Sequence, residues 1–216
     1  MKTDKQAVGE LELLEKEYPK WPAAVLDLLA VETENPFKIL ISTILSLRTK
    51  DQTTAQASRR LYAAADTPRK ILKLNKGQLE KLIYPVGFYH TKAGQILRIC
   101  SILLKKYNGQ VPADFDALLS FPGVGRKTAN LVLALGFDQP AVCVDTHVHR
   151  ISNRLDWART KTPEETEFAL RKIFPENKWS AINKILVAFG QTICRPIGPK
   201  CVNCVLTDCT VRANHV

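Results

Sequence analysis

Long apolar runs and export signals are missing from the sequence. No apolar stretch approaches the roughly 20 residues that a membrane-spanning helix needs. The first residues hold no cationic stretch followed by an apolar segment, which a secretory signal requires. Six cysteines would suit a disulfide framework only in an oxidising compartment. We therefore expect a soluble intracellular protein without a membrane partner.

Internal repeats and low-complexity linkers are missing as well, and helical periodicity dominates. In 92–107 the apolar residues recur at steps of three and four, which predicts one face of a helix. The segment 37–47 is apolar nearly all round, which indicates a buried helix. TPEE at 162–165 predicts a helix start with a Thr N-cap, Pro at the first position and Glu closing a capping box. Only 140–146 looks extended, so the predicted fold class is all-α.

Charge of the two signs is unevenly distributed along the chain. The sequence has 31 Lys and Arg against 21 Asp and Glu, a net charge of +10. Residues 1–34 contain four Lys and eight acidic residues and carry −4, so 35–216 carries +14. A basic body of this kind favours a polyanionic partner, most commonly nucleic acid, bound in a salt-sensitive way.

The segment FPGVGRKTAN at 121–130 resembles a phosphate-binding loop only superficially. A P-loop needs a lysine directly after its last glycine, and a dinucleotide fingerprint needs a third glycine. We predict instead a helix-hairpin-helix, with a tight turn through Gly123, Val124 and Gly125. The second helix would begin near Arg126, and its first N–H groups would bind a nucleic-acid backbone. A plain turn between two helices is the alternative.

Four segments form a combination that is more specific than any of its parts. They are LSFPGVGRKTANLVL around the hairpin, VDTHVHRISNR with its aspartate 18 residues after the lysine, VGFYHTKAGQI, and the C-terminal cysteines. Together they resemble the endonuclease III family of DNA glycosylases, from about residue 25 to the end. The resemblance implies two helical lobes with DNA in the cleft between them. Residues 29–139 would form a barrel lobe with the hairpin, and 1–28 with 140–216 the second lobe.

The resemblance implies that Lys127 and Asp145 are catalytic. Breaking an N-glycosidic bond builds positive charge on the sugar, which the carboxylate of Asp145 would stabilise. The neutral amine of Lys127 would attack C1′, displace the base and form a Schiff base, after which β-elimination cuts the strand. The alternative is that Lys127 only contacts phosphate and Asp145 only caps the helix that follows.

Two features together narrow the activity that the resemblance implies. Related adenine and thymine-mismatch glycosylases lack the hairpin lysine, and the oxoguanine branch lacks the cysteines. Both are present here, which favours a bifunctional glycosylase and AP lyase that excises oxidised pyrimidines from duplex DNA in base excision repair. We expect a monomer in the nucleoid-associated cytoplasm. The competing hypotheses are a monofunctional mismatch glycosylase, a non-catalytic DNA-binding module and an iron–sulfur redox sensor.

The cysteines near the C-terminus are spaced x6, x2 and x4: Cys194, Cys201, Cys204 and Cys209. Four thiolates can hold a [4Fe–4S] cluster or a Zn²⁺ ion. Zinc sites usually pair two C-x2-C motifs across a longer insert, so the single C-x2-C favours the cluster. The resemblance implies the same cluster, although the last spacing of the family is usually x5. Cys100 and Cys143 fit buried core thiols.

Further DNA contacts follow from the resemblance. A damaged base must leave the stack, and side chains fill the space that it leaves. The loops 46–51 and 87–89 occupy the corresponding places and offer Arg48 and Phe88. Better-known members have glutamine where Arg48 stands, and an arginine there would bond well to guanine. A solvated or phosphate-binding charge is the alternative for Arg48, and core packing is the alternative for Phe88.

Three other basic side chains are candidates for phosphate contacts. His147 follows Asp145 by two residues, and a hydrogen-bonded histidine at a helix start is the alternative. Arg195 and Lys200 lie between the first two clustered cysteines, so their loop could reach the DNA backbone.

Overall fold

The computed structural model describes residues 1–22 and 35–209, and every regular element in these ranges is helical. The all-α prediction is therefore confirmed. The α-helices are α1 (Asp4–Glu17), α2 (Pro36–Ser46), α3 (Asp51–Ala64), α4 (Pro68–Ile71), α5 (Lys76–Ile83), α6 (Tyr89–Lys106), α7 (Phe115–Leu119), α8 (Arg126–Phe137), α9 (Thr146–Arg154), α10 (Pro163–Ile173) and α11 (Trp179–Thr192). Short 3₁₀ helices occupy Tyr18–Lys20, Glu176–Lys178 and Cys201–Asn203. Among the described residues, no helix has both the length and the apolar character needed to span a bilayer.

Contacts between residues divide the chain into two compact units. One comprises Met1–Ala24 with Pro140–Val216, and the other comprises Val25–Gln139. The lobe boundary that we predicted between residues 28 and 29 lies outside the described residues.

Helix α2 forms the centre of the unit Val25–Gln139. Eight of its eleven residues are buried, and it packs against α8, α3 and α6. The side chain of Asn35 accepts hydrogen bonds from two N–H groups of the first turn, and Pro36 takes the first helical position, where no N–H is needed. The buried helix predicted at 37–47 is thus confirmed.

Helix α6 begins three residues before the predicted start at 92. The residue ahead of it, Phe88, has a left-handed φ of 58°, a conformation that the periodic pattern does not reveal. The apolar face is buried as expected, and Asn108 and Gly109, both with positive φ, follow the end of the helix. Cys100 lies buried on this face, where burial raises the pKa of its thiol to about 12.

The other unit packs α1, α9, α10 and α11 around one apolar core that contains Trp157 and Phe189. Thr162 caps α10 and Pro163 is its first residue, as predicted. The expected capping box is wrong in one half, because the Glu165 carboxylate accepts the N–H of Lys161 rather than that of Thr162. Residues 140–145 form no regular secondary structure, and Cys143 among them is buried, whereas Thr146, the last residue of the predicted extended segment, already belongs to α9.

Candidate active site

The hairpin joins α7 to α8 through a turn that the sequence predicts correctly, with the second helix beginning at Arg126. Gly123 has a φ of 81°, which is the left-handed region that favours glycine. A Cβ at this position would also lie 2.5 Å from the side-chain nitrogen of Gln95 on α6. Val124 is 8% exposed and fills the interior of the turn. Gly123 is therefore required by its backbone angle, whereas the Gln95 amide, at the end of a flexible side chain, could move aside for a Cβ.

Gly125 is the N-cap of α8 and faces open space. The first N–H groups of a helix have no acceptor within it, so the start of α8 is the kind of place where an anion binds. The guanidinium of Arg126 lies 4.9 Å from the centre of the Phe115 ring. Lys127, the second residue of α8, is half-buried, whereas residues 128–133 are buried. The start of α8 thus presents two basic side chains next to an exposed glycine turn.

Asp145 is the N-cap of α9, as the alternative interpretation holds. Its Oδ1 accepts the N–H of Val148 at 2.8 Å, and the residue is half-buried. One hydrogen bond to a carboxylate leaves it able to accept others, so capping and a role in catalysis are compatible. Asp145 belongs to the unit with Pro140–Val216, and Lys127 belongs to the unit Val25–Gln139.

Arg48 and Phe88 lie together within the unit Val25–Gln139. The guanidinium of Arg48 is 5.5 Å from the centre of the Phe88 ring, and both residues have a positive φ. Phe88 is 61% exposed, so core packing, the alternative interpretation of this residue, is wrong. A pocket of about 340 Å³ beside the pair is lined by Leu47, Arg48, Phe88, Thr91, Lys92 and Gln95.

His147 is half-buried on α9 and contacts a side chain of its own helix. Its Nδ1 lies 3.2 Å from Nη2 of Arg150, and the same Nη2 donates to the carbonyl of Cys194 at 2.9 Å. Burial and the neighbouring Arg154 lower the pKa of Arg150. The phosphate contact of His147 stays a prediction.

The four clustered cysteines line one apolar cavity, together with Leu155, Phe189, Ile193, Pro199 and Leu206. The short last spacing therefore leaves Cys209 beside the other three. Burial raises the pKa of the Cys194 and Cys204 thiols. Within residues 1–22 and 35–209, no three Cys, His, Asp or Glu side chains come close enough to hold a single metal ion.

Arg154 holds the first part of the cysteine loop. Its guanidinium lies 3.5 Å from the Cys194 sulfur and donates to the carbonyls of Arg195 at 2.6 Å and Pro196 at 3.0 Å. We did not predict Arg150 or Arg154 from the sequence. The available signal was two arginines four residues apart on the helix that Asp145 begins.

Arg195 and Lys200 are both exposed on the loop between the first two cysteines. The backbone N–H groups of these two residues both donate to the carbonyl of Ile193, each at 2.9 Å, and so close the loop at its base. Ile197 at its tip is 89% exposed. The loop thus projects two basic side chains from a fixed base.

The sequence of this chain matches a known protein family and several of its members. Residues 41–176 match the HhH-GPD superfamily of base excision DNA repair proteins. The chain is 52% identical over 174 residues to endonuclease III of Thermotoga maritima, across 81% of this chain and 82% of that one. It is 45% identical over 184 residues to the chloroplastic endonuclease III homolog 2 of Arabidopsis thaliana, of which it spans about half, 48%.

A solved structure shares the fold over nearly its whole length. The structure of a trapped endonuclease III–DNA covalent intermediate superposes with a TM-score of 0.89, at 35% identity, and covers 99% of both chains. The family match extends over more than half of this chain, and the Thermotoga relative is covered over more than two thirds of its length. The chain therefore belongs to the HhH-GPD superfamily of base excision DNA repair proteins and, within it, to the endonuclease III family.

Proposed function

We propose that this chain excises oxidised pyrimidines from duplex DNA, with Lys127 as the nucleophile and Asp145 as its electrostatic partner. The broader activity rests on the family, since the chain is a bifunctional DNA glycosylase and AP lyase of base excision repair. The observation that carries the residue assignment is the position of Lys127, one residue into the helix that follows the exposed glycine turn.

The hairpin would bring the sugar to the amine. Backbone N–H groups at the start of α8 can bind a phosphate of the DNA, and the exposed glycines allow that phosphate to approach closely. A phosphate bound there anchors the strand beside α8 without regard to base sequence. Lys127 is half-buried in the first turn of the same helix, so its amine would be next to the bound nucleotide.

The proposed reaction releases the base first and cuts the strand second. The lone pair of the Lys127 nitrogen forms a bond to C1′ while the bond from C1′ to the base breaks, and the base leaves with that electron pair and takes up a proton. The nitrogen then loses a proton, and its lone pair forms the C1′=N bond while the C1′–O4′ bond breaks and O4′ takes up a proton, which gives the protonated imine. The imine acidifies a C2′ proton, and removal of that proton expels the 3′ phosphate, which cuts the strand.

Asp145 would stabilise the positive charge that builds on the sugar. The N–H of Val148 holds Oδ1 at 2.8 Å, so the carboxylate is oriented before substrate arrives. Charges that are already in place where charge develops are an effective source of rate acceleration, because nothing has to reorganise during the reaction.

Duplex DNA with a damaged base or an abasic site is the proposed partner of a monomeric enzyme. The net charge of +10 supports this proposal, as do the exposed side chains of Arg195 and Lys200 on their closed loop. Arg48 and Phe88, which lie together and beside a pocket, would fill the space that the extruded base leaves.

The cysteine cavity suits a [4Fe–4S] cluster held by Cys194, Cys201, Cys204 and Cys209. The donors are four thiols, and the other residues that line the cavity are apolar. Four thiolates could also hold a Zn²⁺ ion, but zinc sites usually pair two C-x2-C motifs and this chain has one, which favours the cluster. When bound, the cluster would cross-link the end of α11 to the loop that follows.

Borohydride trapping tests the assignment of the nucleophile. Protein is mixed with labelled duplexes that contain thymine glycol, uracil opposite guanine, or adenine opposite oxoguanine. We expect a covalent adduct on thymine glycol, its loss in Lys127→Ala, and unchanged duplex binding by that variant. Lys105→Ala, which removes an exposed lysine of α6 in the same unit, is the matched control and should still be trapped.

Each other outcome selects a different function. Strand cleavage by Lys127→Ala would contradict the proposed nucleophile. Base release without any adduct would indicate a monofunctional enzyme, and tight binding without reaction would indicate a DNA-binding module.

A further inference from the structure

Lys92 is buried directly behind the turn that carries Arg48. The side chain is 4% exposed, yet its ammonium donates to the carbonyls of Leu45 at 2.8 Å and Leu47 at 2.5 Å and to the hydroxyl of Thr49 at 3.2 Å. Burial lowers the pKa of this lysine to about 8. A protonated amine has three N–H donors, so the three acceptors match it completely.

The chain around Arg48 needs such support. Helix α2 ends at Ser46, and the last carbonyls of a helix have no N–H partner within it. Leu45 is fully buried, so without Lys92 its carbonyl would lose this buried hydrogen bond. Arg48 itself has a φ of 53°, a strained angle for a residue with a side chain, which persists only when its surroundings hold it.

The same lysine connects this turn to the loop that carries Phe88. The hydroxyl oxygen of Thr49 accepts a hydrogen bond from Lys92 and another from the N–H of Gly87 at 3.1 Å. A Cβ on Gly87 would lie 2.5 Å from the Arg48 carbonyl oxygen, so the two loops touch through their backbones. Lys92, Thr49 and Gly87 thus join the two loops on the inner side, and Arg48 and Phe88 stack on the outer side.

We propose that Lys92 is a positioning residue that holds Arg48 and Phe88 as a preformed pair for the moment when a base leaves the DNA stack. Lys92 bonds to the loop carbonyls from inside the unit, and it would affect the DNA only by fixing the positions of Arg48 and Phe88 on the outside. The inference rests on the proposed function, and specifically on the proposal that Arg48 and Phe88 fill the space that the base leaves. A pair that is already ordered loses less entropy when it inserts into the duplex.

A comparison of two substrates distinguishes a role in positioning Arg48 and Phe88 from a role in maintaining the fold. An abasic site in single-stranded DNA requires neither unstacking nor filling of a vacated space, whereas the same site in a duplex requires both. Loss of the pair should therefore slow the duplex reaction selectively. A side chain that only maintained the fold would affect both reactions equally.

The experiment uses Lys92→Met in the full chain, which keeps an unbranched apolar stem but removes the ammonium and with it all three donors. Single-turnover cleavage is measured on an abasic site in a duplex and in the same strand alone. We expect the ratio of the duplex rate to the single-strand rate to fall about ten-fold. Lys105→Met, on the exposed side of the same helix, should keep the wild-type ratio. An unchanged ratio in Lys92→Met would overturn the inference.

Two further variants keep the test decisive if Lys92→Met folds poorly. Thr49→Val removes the hydroxyl that joins the loops and should lower the ratio in the same direction. The triple variant Arg48→Ala, Phe88→Ala and Lys92→Met should be no worse than the double variant Arg48→Ala and Phe88→Ala, because Lys92 acts through the pair. Additive losses would contradict that coupling. If the wild-type protein cleaves neither substrate, the proposed function fails, whereas an active enzyme with an unchanged ratio overturns only the role of Lys92.

Discussion

Gly190 on α11 occupies a position where a side chain meets α9 at close range. A Cβ there would lie 2.4 Å from Nδ1 of His147, 2.9 Å from Cδ1 of Ile151 and 3.0 Å from Nη2 of Arg150. Arg150 is itself bonded to the carbonyl of Cys194. The absence of one methyl group therefore allows α9 to approach α11 and to contact the cysteine loop at the same time.

We expect Gly190→Ala to destabilise the protein by about 1–3 kcal/mol, because the added carbon must displace His147 and Arg150. Urea unfolding measures the change. Gly9→Ala on α1 is the matched control in the same unit. A Cβ on Gly9 meets nothing within 4 Å, so alanine there should stabilise its helix by about 0.5–1 kcal/mol. Equal stability of the two variants would show that the close contact carries no cost.

At the scale of elements, α9 combines several tasks in nine residues. Its N-cap is Asp145, its first turn contains His147, and Arg150 and Arg154 bond to the cysteine loop. A single helix thus orients the carboxylate and supports the loop that holds the cysteines. We therefore expect substitutions of Asp145 to lower both the stability of the protein and its activity. Two different substitutions can separate the loss of stability from the loss of activity.

Asp145→Asn keeps the cap but removes the charge, since asparagine and aspartate cap helices about equally well. We expect unfolding free energy close to wild type and a loss of activity of about a hundred-fold or more. Asp145→Ala should lose about 1 kcal/mol of stability as well, because it also removes the cap. Single-turnover kinetics and urea unfolding of both variants are the measurements. An active Asp145→Asn would leave Asp145 as a cap alone.

The elements with strong periodicity could be predicted from the sequence, and their exact limits could not. The buried helix at 37–47 and the face of α6 follow from the spacing of apolar residues. The start of α6 does not, because Phe88 takes its left-handed angle where two loops meet. The Glu165 carboxylate likewise bonds one residue away from its expected partner, a choice between neighbouring N–H groups that the motif leaves open.

Some residues of the candidate site could likewise be predicted from the sequence, and others could not. Gly123, Gly125 and Lys127 lie within five residues, so one local pattern reveals them. Lys92 bonds to carbonyls more than 40 residues earlier in the chain, and Arg154 bonds to carbonyls about 40 residues later. A lysine on an apolar helix face resembles any other lysine until the chain has folded around it.

For the whole molecule, the dominant feature is positive charge, with a net +10 over 216 residues. Charge of this size draws a polyanion from a distance and makes binding depend on salt, since each neutralised phosphate releases counterions. Exposed arginines and lysines contribute to this dependence only where they touch the backbone of the DNA. The loop 195–200 is the proposed point of contact in the unit that contains the cysteines.

We expect Arg195→Ala and Lys200→Ala each to lower the slope of log affinity against log salt by about 1. Fluorescence anisotropy with a labelled duplex over a series of salt concentrations measures this slope. Lys161→Ala, an exposed lysine of the same unit, is the control and should keep the wild-type slope. Unchanged slopes for both loop variants would remove the loop from the DNA interface.

The loop 195–200 is closed at its base by two hydrogen bonds to the carbonyl of Ile193. This closure allows the loop to change in length without a change in the helices. Because the base is fixed by the end of α11, residues added at the tip, near the 89% exposed Ile197, leave the helical framework as it is. Each doubling of the length of a flexible loop costs only about 0.6 kcal/mol. The DNA contact proposed for this loop can therefore be extended or shortened through insertions and deletions at the tip, while α11 and the closed base of the loop keep their positions.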